Sequence, residues 1–238
     1  WAGDIAQVEV PVAGLLDPAY VRSRSALIRE DASLPAYTAG NPPGAPKRVA
    51  ALSGEIKGTT HFVAVDDAGN VASMTSTVES GFGSQLVSGG FVLNNELTDF
   101  SFQPTEPGGS PMANAVAGGR RPVSSMSPVI VFKGNKPVFA VGSAGGRRIP
   151  SHVLKTLIAY IDWRLPAEQA MAQPNLYFGG KQLLVEQGTS LAGLAGAMSA
   201  MGQTVTPSDL TSKLCAIEWT PAGWRGAIDP RIGSSLIE

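Results

Sequence analysis

From residue 59 onward, apolar and polar positions alternate with a two-residue period. Thr60–Val65 and Val71–Val78 are rich in β-branched residues and flank Asp66-Asp67-Ala68-Gly69-Asn70, a turn sequence. This pattern predicts a β-hairpin. Val129–Phe132 and Pro137–Val141 around Lys133-Gly134-Asn135-Lys136 predict a second. Leu214–Trp219 and Trp224–Ile228 around Pro221-Ala222-Gly223 predict a third. Between the last two the period lengthens: Ile149, Val153, Leu157 and Ile161 form a stripe, widened by Leu154 and Ile158, which predicts a long helix. Shorter helices are expected from Pro166 and over Leu191–Met201. Upstream, Asp17 suits a helix cap and Pro18 a first helical position. Asp31–Pro46, centred on Asn41-Pro42-Pro43-Gly44, reads as a surface connector. Strands pair locally and helices come in blocks, so the class is α+β with an antiparallel sheet.

The turns also fix registers. Centring the first hairpin on Ala68 sets Thr59 opposite Thr77, on one face with Cβ atoms about 5 Å apart. Centring the second between Gly134 and Asn135 sets Ser125 opposite Ala144 and Ser124 opposite Gly145. Both serines then return to the end where Gly145-Gly146 opens the long helix. Adjacent glycines there let backbone N–H groups approach a developing negative charge, as an oxyanion hole requires, or simply make a tight turn.

Gly58-Thr59-Thr60-His61 leads into the first strand. A mid-chain threonine is inert, but cutting the Gly58–Thr59 bond would give Thr59 an α-amine. That amine titrates near pH ~8 and can act as the base for the neighbouring hydroxyl. Asn94–Phe100 carries Glu96 and Asp99 beside two amides, suited to hold a cationic amine or to cap a helix with solvated charges. Glu79 is a third carboxylate, suited to the same amine or to being a surface charge.

Composition narrows the classes. The 238 residues, 43% hydrophobic, suffice for a core in one or two domains. A net charge of −1 gives no electrostatic case for nucleic acid or an anionic membrane, and no apolar run approaches the ~20 residues of a spanning helix. One cysteine, Cys215, excludes an intramolecular disulfide framework and reads as buried filler in an apolar run. With only His61 and His152 as histidines, a metal site would have to be carboxylate-only, and none is expected. His61 is expected beside the site and His152 on a helix face. No cofactor is expected.

In order, Thr59-Thr60-His61, Asn94–Phe100, Arg121-Pro122-Val123-Ser124-Ser125-Met126-Ser127-Pro128 and Gly142-Ser143-Ala144-Gly145-Gly146-Arg147 resemble the γ-glutamyltransferase (γ-glutamyltranspeptidase) family of N-terminal-nucleophile hydrolases. Asp229-Pro230-Arg231 fits the same series. The resemblance implies an αββα sandwich. Residues 1–58 would be the tail of the large subunit plus a Pro/Gly-rich connector, and residues 59–238 the small, catalytic subunit. The remainder of the large subunit is the implied partner. The implied chemistry is cleavage between Gly58 and Thr59, then acyl transfer from a glutathione-like γ-glutamyl donor to water, an amino acid or a peptide. Thr59 would be the nucleophile, Thr77 its support, and Gly145 and Gly146 the oxyanion donors. Ser124 and Ser125 would bind the α-carboxylate, and Glu96, Asp99 and Glu79 the α-amine. Many members carry Asn at the Glu79 position and Gln at the Glu96 position. The stretch from Phe100 to Pro122 is short, with no aromatic residue after Phe102 suited to a lid, so an open cleft is expected. The family's carboxylate-binding arginine belongs to a region outside this chain. Two alternatives stand beside this reading: a related acylase for glutaryl or β-lactam side chains, and a non-catalytic uncleaved fragment. The resemblance implies a periplasmic or secreted location and leaves a cytoplasmic one open.

Overall fold

Each of the three turn sequences closes a hairpin in the computed structural model, which describes residues 3–45, 58–105 and 108–232. The helices are α1 (Val12–Leu15), α2 (Pro18–Ser25), α3 (Ile149–Ile161), α4 (Ala167–Ala172), α5 (Ser190–Gly193) and α6 (Ala195–Ala200). The strands are β1 (Thr59–Val65), β2 (Val71–Thr77), β3 (Val87–Ser88), β4 (Phe91–Val92), β5 (Val129–Lys133), β6 (Lys136–Ala144), β7 (Leu176–Phe178), β8 (Leu183–Glu186), β9 (Val205–Ser208), β10 (Lys213–Thr220) and β11 (Gly223–Ile228). The described residues fall into two compact units. One holds 3–45, 96–105, 108–124 and 196–204; the other holds 58–95, 125–195 and 205–232.

The larger unit is layered. Its four-stranded antiparallel sheet runs β11-β10-β6-β5. The β1–β2 hairpin packs on one face, and α3 and α4 on the other. Because both faces of β6 are covered, its last six residues are all buried. Phe139 and Val141 point to the helices and join Ile149, Val153, Met171 and Leu214 in the core. Tyr160 stacks on Phe139 with ring centroids 4.0 Å apart. Gly142 faces the hairpin, where the His61 ring fills the space a side chain would need: an added Cβ would lie 2.3 Å from it. A separate three-stranded sheet, β7-β8-β9, has β8 and β9 parallel, a pairing the sequence pattern did not indicate.

Three expectations change. In the second hairpin the register slips between Val131 and Phe132, so Val129 faces Val141 and the strand ends there. Ser124 and Ser125 therefore lie outside the ladder rather than opposite Gly145 and Ala144. In α3 the buried face is Ile149, His152, Val153, Thr156 and Ala159, while Leu154, Ile158 and Ile161 are exposed. Thr156 tolerates burial because its hydroxyl donates to the His152 carbonyl at 2.9 Å. The helix expected over Leu191–Met201 is two short pieces, broken at Leu194 between Gly193 and Gly196, where glycine weakens a helix.

In the smaller unit, Asp17 caps α2 as expected, its carboxylate accepting from the Tyr20 N–H at 2.8 Å. The Pro/Gly stretch up to Ala45 is held more firmly than a surface connector: Pro42 is fully buried, and a Cβ on Gly14 would sit 2.0 Å from the Pro43 carbonyl. Pro46 lies outside the described residues. Asn114, buried and unremarked by sequence, joins two segments. Its amide donates to the Asp99 carbonyl at 2.6 Å and its oxygen accepts from the Val123 N–H at 3.0 Å.

A buried ionic cluster closes the end of the larger unit. Arg231 makes a two-point ion pair with Glu186 at 2.5 and 2.7 Å and reaches fully buried Asp229 at 3.0 Å. It also donates to the Met171 and Gln173 carbonyls, which Lys155 shares at 2.5 and 2.6 Å. Burial, and then repulsion from Arg231, lowers the Lys155 pKa to about 8. Arg231→Ala leaves buried Asp229 and partly buried Glu186 short of their cation and is expected to cost about 3–5 kcal/mol in urea unfolding. A loss under about 1 kcal/mol would contradict the cluster's structural role.

Candidate active site

Thr59 opens β1 and Thr77 closes β2, and the ladder pairs them directly, as the turn register predicts. The Thr59 hydroxyl donates to the Thr77 hydroxyl oxygen at 3.2 Å. Thr77 also accepts the Glu79 N–H at 2.9 Å, so one side chain orients both Thr59 and the turn beyond it. Glu79 is nearly buried and has φ +74°, a region asparagine enters more readily than glutamate. Asn95 pins the same turn: its side-chain oxygen accepts the Ser80 N–H at 3.0 Å, and its own N–H donates to Val78 at 3.2 Å. This turn explains the glycine before Thr59. A Cβ on Gly58 would lie 2.2 Å from the Glu79 carbonyl oxygen and 2.6 Å from that of Ser80.

Gly145 lies at the end of β6 with φ +138°, and Gly146 begins a 3-10 turn to Arg148. Ser125 reaches this turn through its side chain, donating to the Gly146 carbonyl at 2.9 Å. Beneath Gly145 lies His152, 1% exposed, whose ring would touch an added Cβ at 2.9 Å. Its ring is buried against the Ala144 backbone, with which it interacts. Burial, and then the nearby Lys155 charge, lowers its pKa to about 4. His152 is thus a neutral support for the glycine turn, on the helix face expected of it, which here is the buried face of α3. His61 lies on the inner face of the hairpin, its Nδ1 2.8 Å from the Thr75 hydroxyl, and burial lowers its pKa to about 4 as well. Cys215, partly buried on β10, is no reactive thiolate, because burial raises its pKa.

A cavity of about 350 Å³ opens on Thr59 and is lined also by Gly58, Ala144, Gly145, Arg148 and Lys213. Its size suits a small ligand. In the smaller unit, Glu96 and Asp99 share one 3-10 turn, and Ser124 is exposed. Burial, and then the Asp99 charge, raises the Glu96 pKa. Thr59, Thr77 and Gly145 were legible in the sequence, whereas Asn114 and the support that His152 gives Gly145 come from packing that no local motif announces.

A threonine heading an inner strand, stacked on an antiparallel sheet with helices behind it, defines the N-terminal-nucleophile hydrolase class of fold. A family model described as gamma-glutamyltranspeptidase matches residues 1–237. The glutathione hydrolase proenzyme of Bacillus subtilis strain 168 is 41% identical over 186 residues, covering 74% of this chain and 31% of that protein. The acylase ACY 1 proenzyme of Pseudomonas sp. strain SE83 is 33% identical over 223 residues, covering 92% and 37%. A crystal structure of a Helicobacter pylori γ-glutamyltranspeptidase mutant superposes with a TM-score of 0.65 at 34% identity, covering 73% of this chain and 100% of that one. The chain belongs to the γ-glutamyltranspeptidase family. It spans about a third of the length of the curated relatives it matches.

Both histidines are neutral in the folded state and bind protons more readily when unfolded. Between pH 6.5 and about 4 the unfolded state therefore holds more protons, and stability falls as pH falls. His152→Gln is expected to reduce the loss of stability between pH 7 and 4.5 by about 2 kcal/mol. Urea midpoints at the two pH values measure it, and an unchanged loss would contradict the buried, neutral His152.

Proposed function

We propose that the protein carrying this chain cuts itself between Gly58 and Thr59 and then transfers or hydrolyses γ-glutamyl groups through Thr59. The single observation that carries this reading is the Thr59 hydroxyl held on Thr77 at the mouth of a cavity shared with Gly145. Residues 1–58 then end the large subunit and residues 59–238 form the small one. The outer face of the hairpin, where Phe62 pairs with Met74 and both are about half exposed, is the kind of surface a large-subunit partner covers.

After cleavage the new α-amine of Thr59 takes the proton from its own hydroxyl as the oxygen attacks the γ-carbonyl. Gly145 and Gly146 N–H groups stabilise the oxyanion, worth roughly 3–4 kcal/mol per donor in comparable sites. The intermediate collapses to an ester on Thr59, and the departing amine leaves with the proton. Water or an acceptor amine then reverses the sequence. Glu96 and Asp99, with Glu79, are assigned to the substrate α-amine: neighbouring carboxylates favour a cation, and burial together with the Asp99 charge raises the Glu96 pKa. Ser124 and Ser125 are assigned to the α-carboxylate, Ser125 exchanging its bond to Gly146 for the substrate.

A second reading, supported by likeness to the Pseudomonas acylase, keeps the nucleophile and changes the acyl group to one without an α-amine, such as glutaryl. Glu96 and Asp99 would then have no cation to bind. Rates on γ-glutamyl and glutaryl donors separate the two readings.

The full-length protein is expected to give two species by mass, the smaller beginning at Thr59. Thr59→Ala should remain one chain and lose at least ~10³-fold in turnover of a γ-glutamyl anilide. Cleaved protein inactive on every γ-glutamyl donor would overturn the proposal. Gly58→Ala, which cannot pass the Glu79 and Ser80 carbonyls, should slow the cleavage. Processing of this variant at the wild-type rate would remove the steric argument. Because its pKa is raised, Glu96 loses its charge at higher pH than an ordinary glutamate. KM for a γ-glutamyl donor should therefore rise as pH falls toward the carboxylate range, and Glu96→Gln should flatten that rise. An unaltered profile would show that Glu96 does not bind the amine.

A further inference from the structure

The smaller unit carries two segments assigned above to opposite polar ends of the γ-glutamyl group. Glu96 and Asp99 share one 3-10 turn. Ser124 lies in residues 121–128, which belong to no helix or strand. Such a segment has no backbone ladder to fix it, so its position depends on the side chains that take its polar groups. Asn114 is one of them. It is 6% exposed and bonded to both segments.

Its partners dictate how the amide is turned. The N–H can only donate, and it meets the Asp99 carbonyl at 2.6 Å; the oxygen can only accept, and it meets the Val123 N–H at 3.0 Å. The Asn114 backbone adds a tie to the chain just after the 3-10 turn, its carbonyl accepting the Ser101 N–H at 2.8 Å. Ala115 forms a bridge with Ser101 beside it. A planar amide carries its donor and its acceptor on one carbon. The two segments therefore cannot separate without leaving a polar group beside buried Asn114 unpaired. Asp4 and Gln7 brace the same stretch: the Asp4 carboxylate accepts the Arg121 N–H at 3.0 Å, and the Gln7 amide donates to the Gly119 carbonyl at 2.9 Å.

A γ-glutamyl group carries its α-amine and α-carboxylate on a single carbon. Both ends can be held at once only if the segments that bind them keep one spacing. We propose that Asn114 is a positioning residue for the donor: its side-chain amide sets the spacing between the carboxylates that take the α-amine and the serine that takes the α-carboxylate, and so selects acyl groups bearing both. The inference rests on the γ-glutamyl reading above. Asn114 acts through the Asp99 carbonyl and the Val123 N–H. Without it each segment still binds its own end, but binding both then requires ordering one segment against the other. Aspartate cannot replace it, because a carboxylate would turn an acceptor toward the Asp99 carbonyl.

The test uses full-length, processed protein and three anilides with one leaving group: γ-glutamyl, glutaryl, which lacks the α-amine, and 4-aminobutyryl, which lacks the α-carboxylate. The wild type should favour γ-glutamyl over each of the others in kcat/KM. Asn114→Ala should lose about tenfold on γ-glutamyl, chiefly through KM, and under about threefold on the other two. Asn114→Asp, which keeps the bond to Val123 and breaks only that to Asp99, should show the same selective loss. A general structural defect would lower all three rates alike. Equal losses, or none, overturn the positioning role and leave the functional reading standing. Should neither variant give processed protein, amide exchange in the wild type decides. There 4-aminobutyramide, which engages the amine end alone, should slow exchange in peptides covering 121–124 as well as 96–101. Protection confined to 96–101, or absent from both, overturns the proposal. A wild type without preference for γ-glutamyl overturns the functional reading and this inference with it.

Discussion

The register between β1 and β2 is the constraint on which the site depends. Thr59 pairs with Thr77, so Thr59, His61, Val63 and Val65 lie on the inner face, while Thr60, Phe62 and Ala64 face out. A slip of one residue would send Thr59 outward and break its bond to Thr77. It would also pull His61 out of the gap that Gly142 leaves for it. The hairpin thus cannot slide without repacking against the sheet, and the position of Thr59 follows from the packing of its strand.

The opposite side of the cavity is held from below. His152 supports Gly145, and Asp229 holds Ser212 between the lining residues Thr211 and Lys213. Asp229 is in turn neutralised by Arg231, which Glu186 clamps. Several buried polar groups in the larger unit therefore converge on a few backbone turns. Polar burial on this scale is tolerated when the groups are paired, and it then fixes a unique local geometry. His152 is buried neutral instead, its pKa lowered to about 4 by burial and then by the Lys155 charge.

Much of the fold was legible because local chemistry and tertiary packing agree. Asp66–Asn70 and Gly134-Asn135 set two hairpins, and Asp17-Pro18 started a helix where one forms. What was not legible came from long-range packing. Ser124 and Ser125 lie outside the expected ladder because β5 begins only at Val129, after Pro128, although Ser125 still reaches Gly146 through its hydroxyl. The buried face of α3 includes His152 and Thr156 in place of Leu154 and Ile158, because space under Gly145 and a hydroxyl-to-carbonyl bond mattered more than hydropathy. Thr59, Thr77 and Gly145 came from registers and glycines. Asn114 and the contact between His152 and Gly145 required coordinates, since no local motif sets them.

The central claim is that Thr59 takes the acyl group, and trapping that ester tests it most directly. Processed full-length protein, quenched in acid during turnover of a γ-glutamyl donor, can be digested and its fragments weighed. The account predicts a γ-glutamyl adduct on the peptide beginning at Thr59, absent when the donor is omitted. Turnover with the adduct on another residue, or with Thr59 unmodified under conditions that trap an ester, would contradict it.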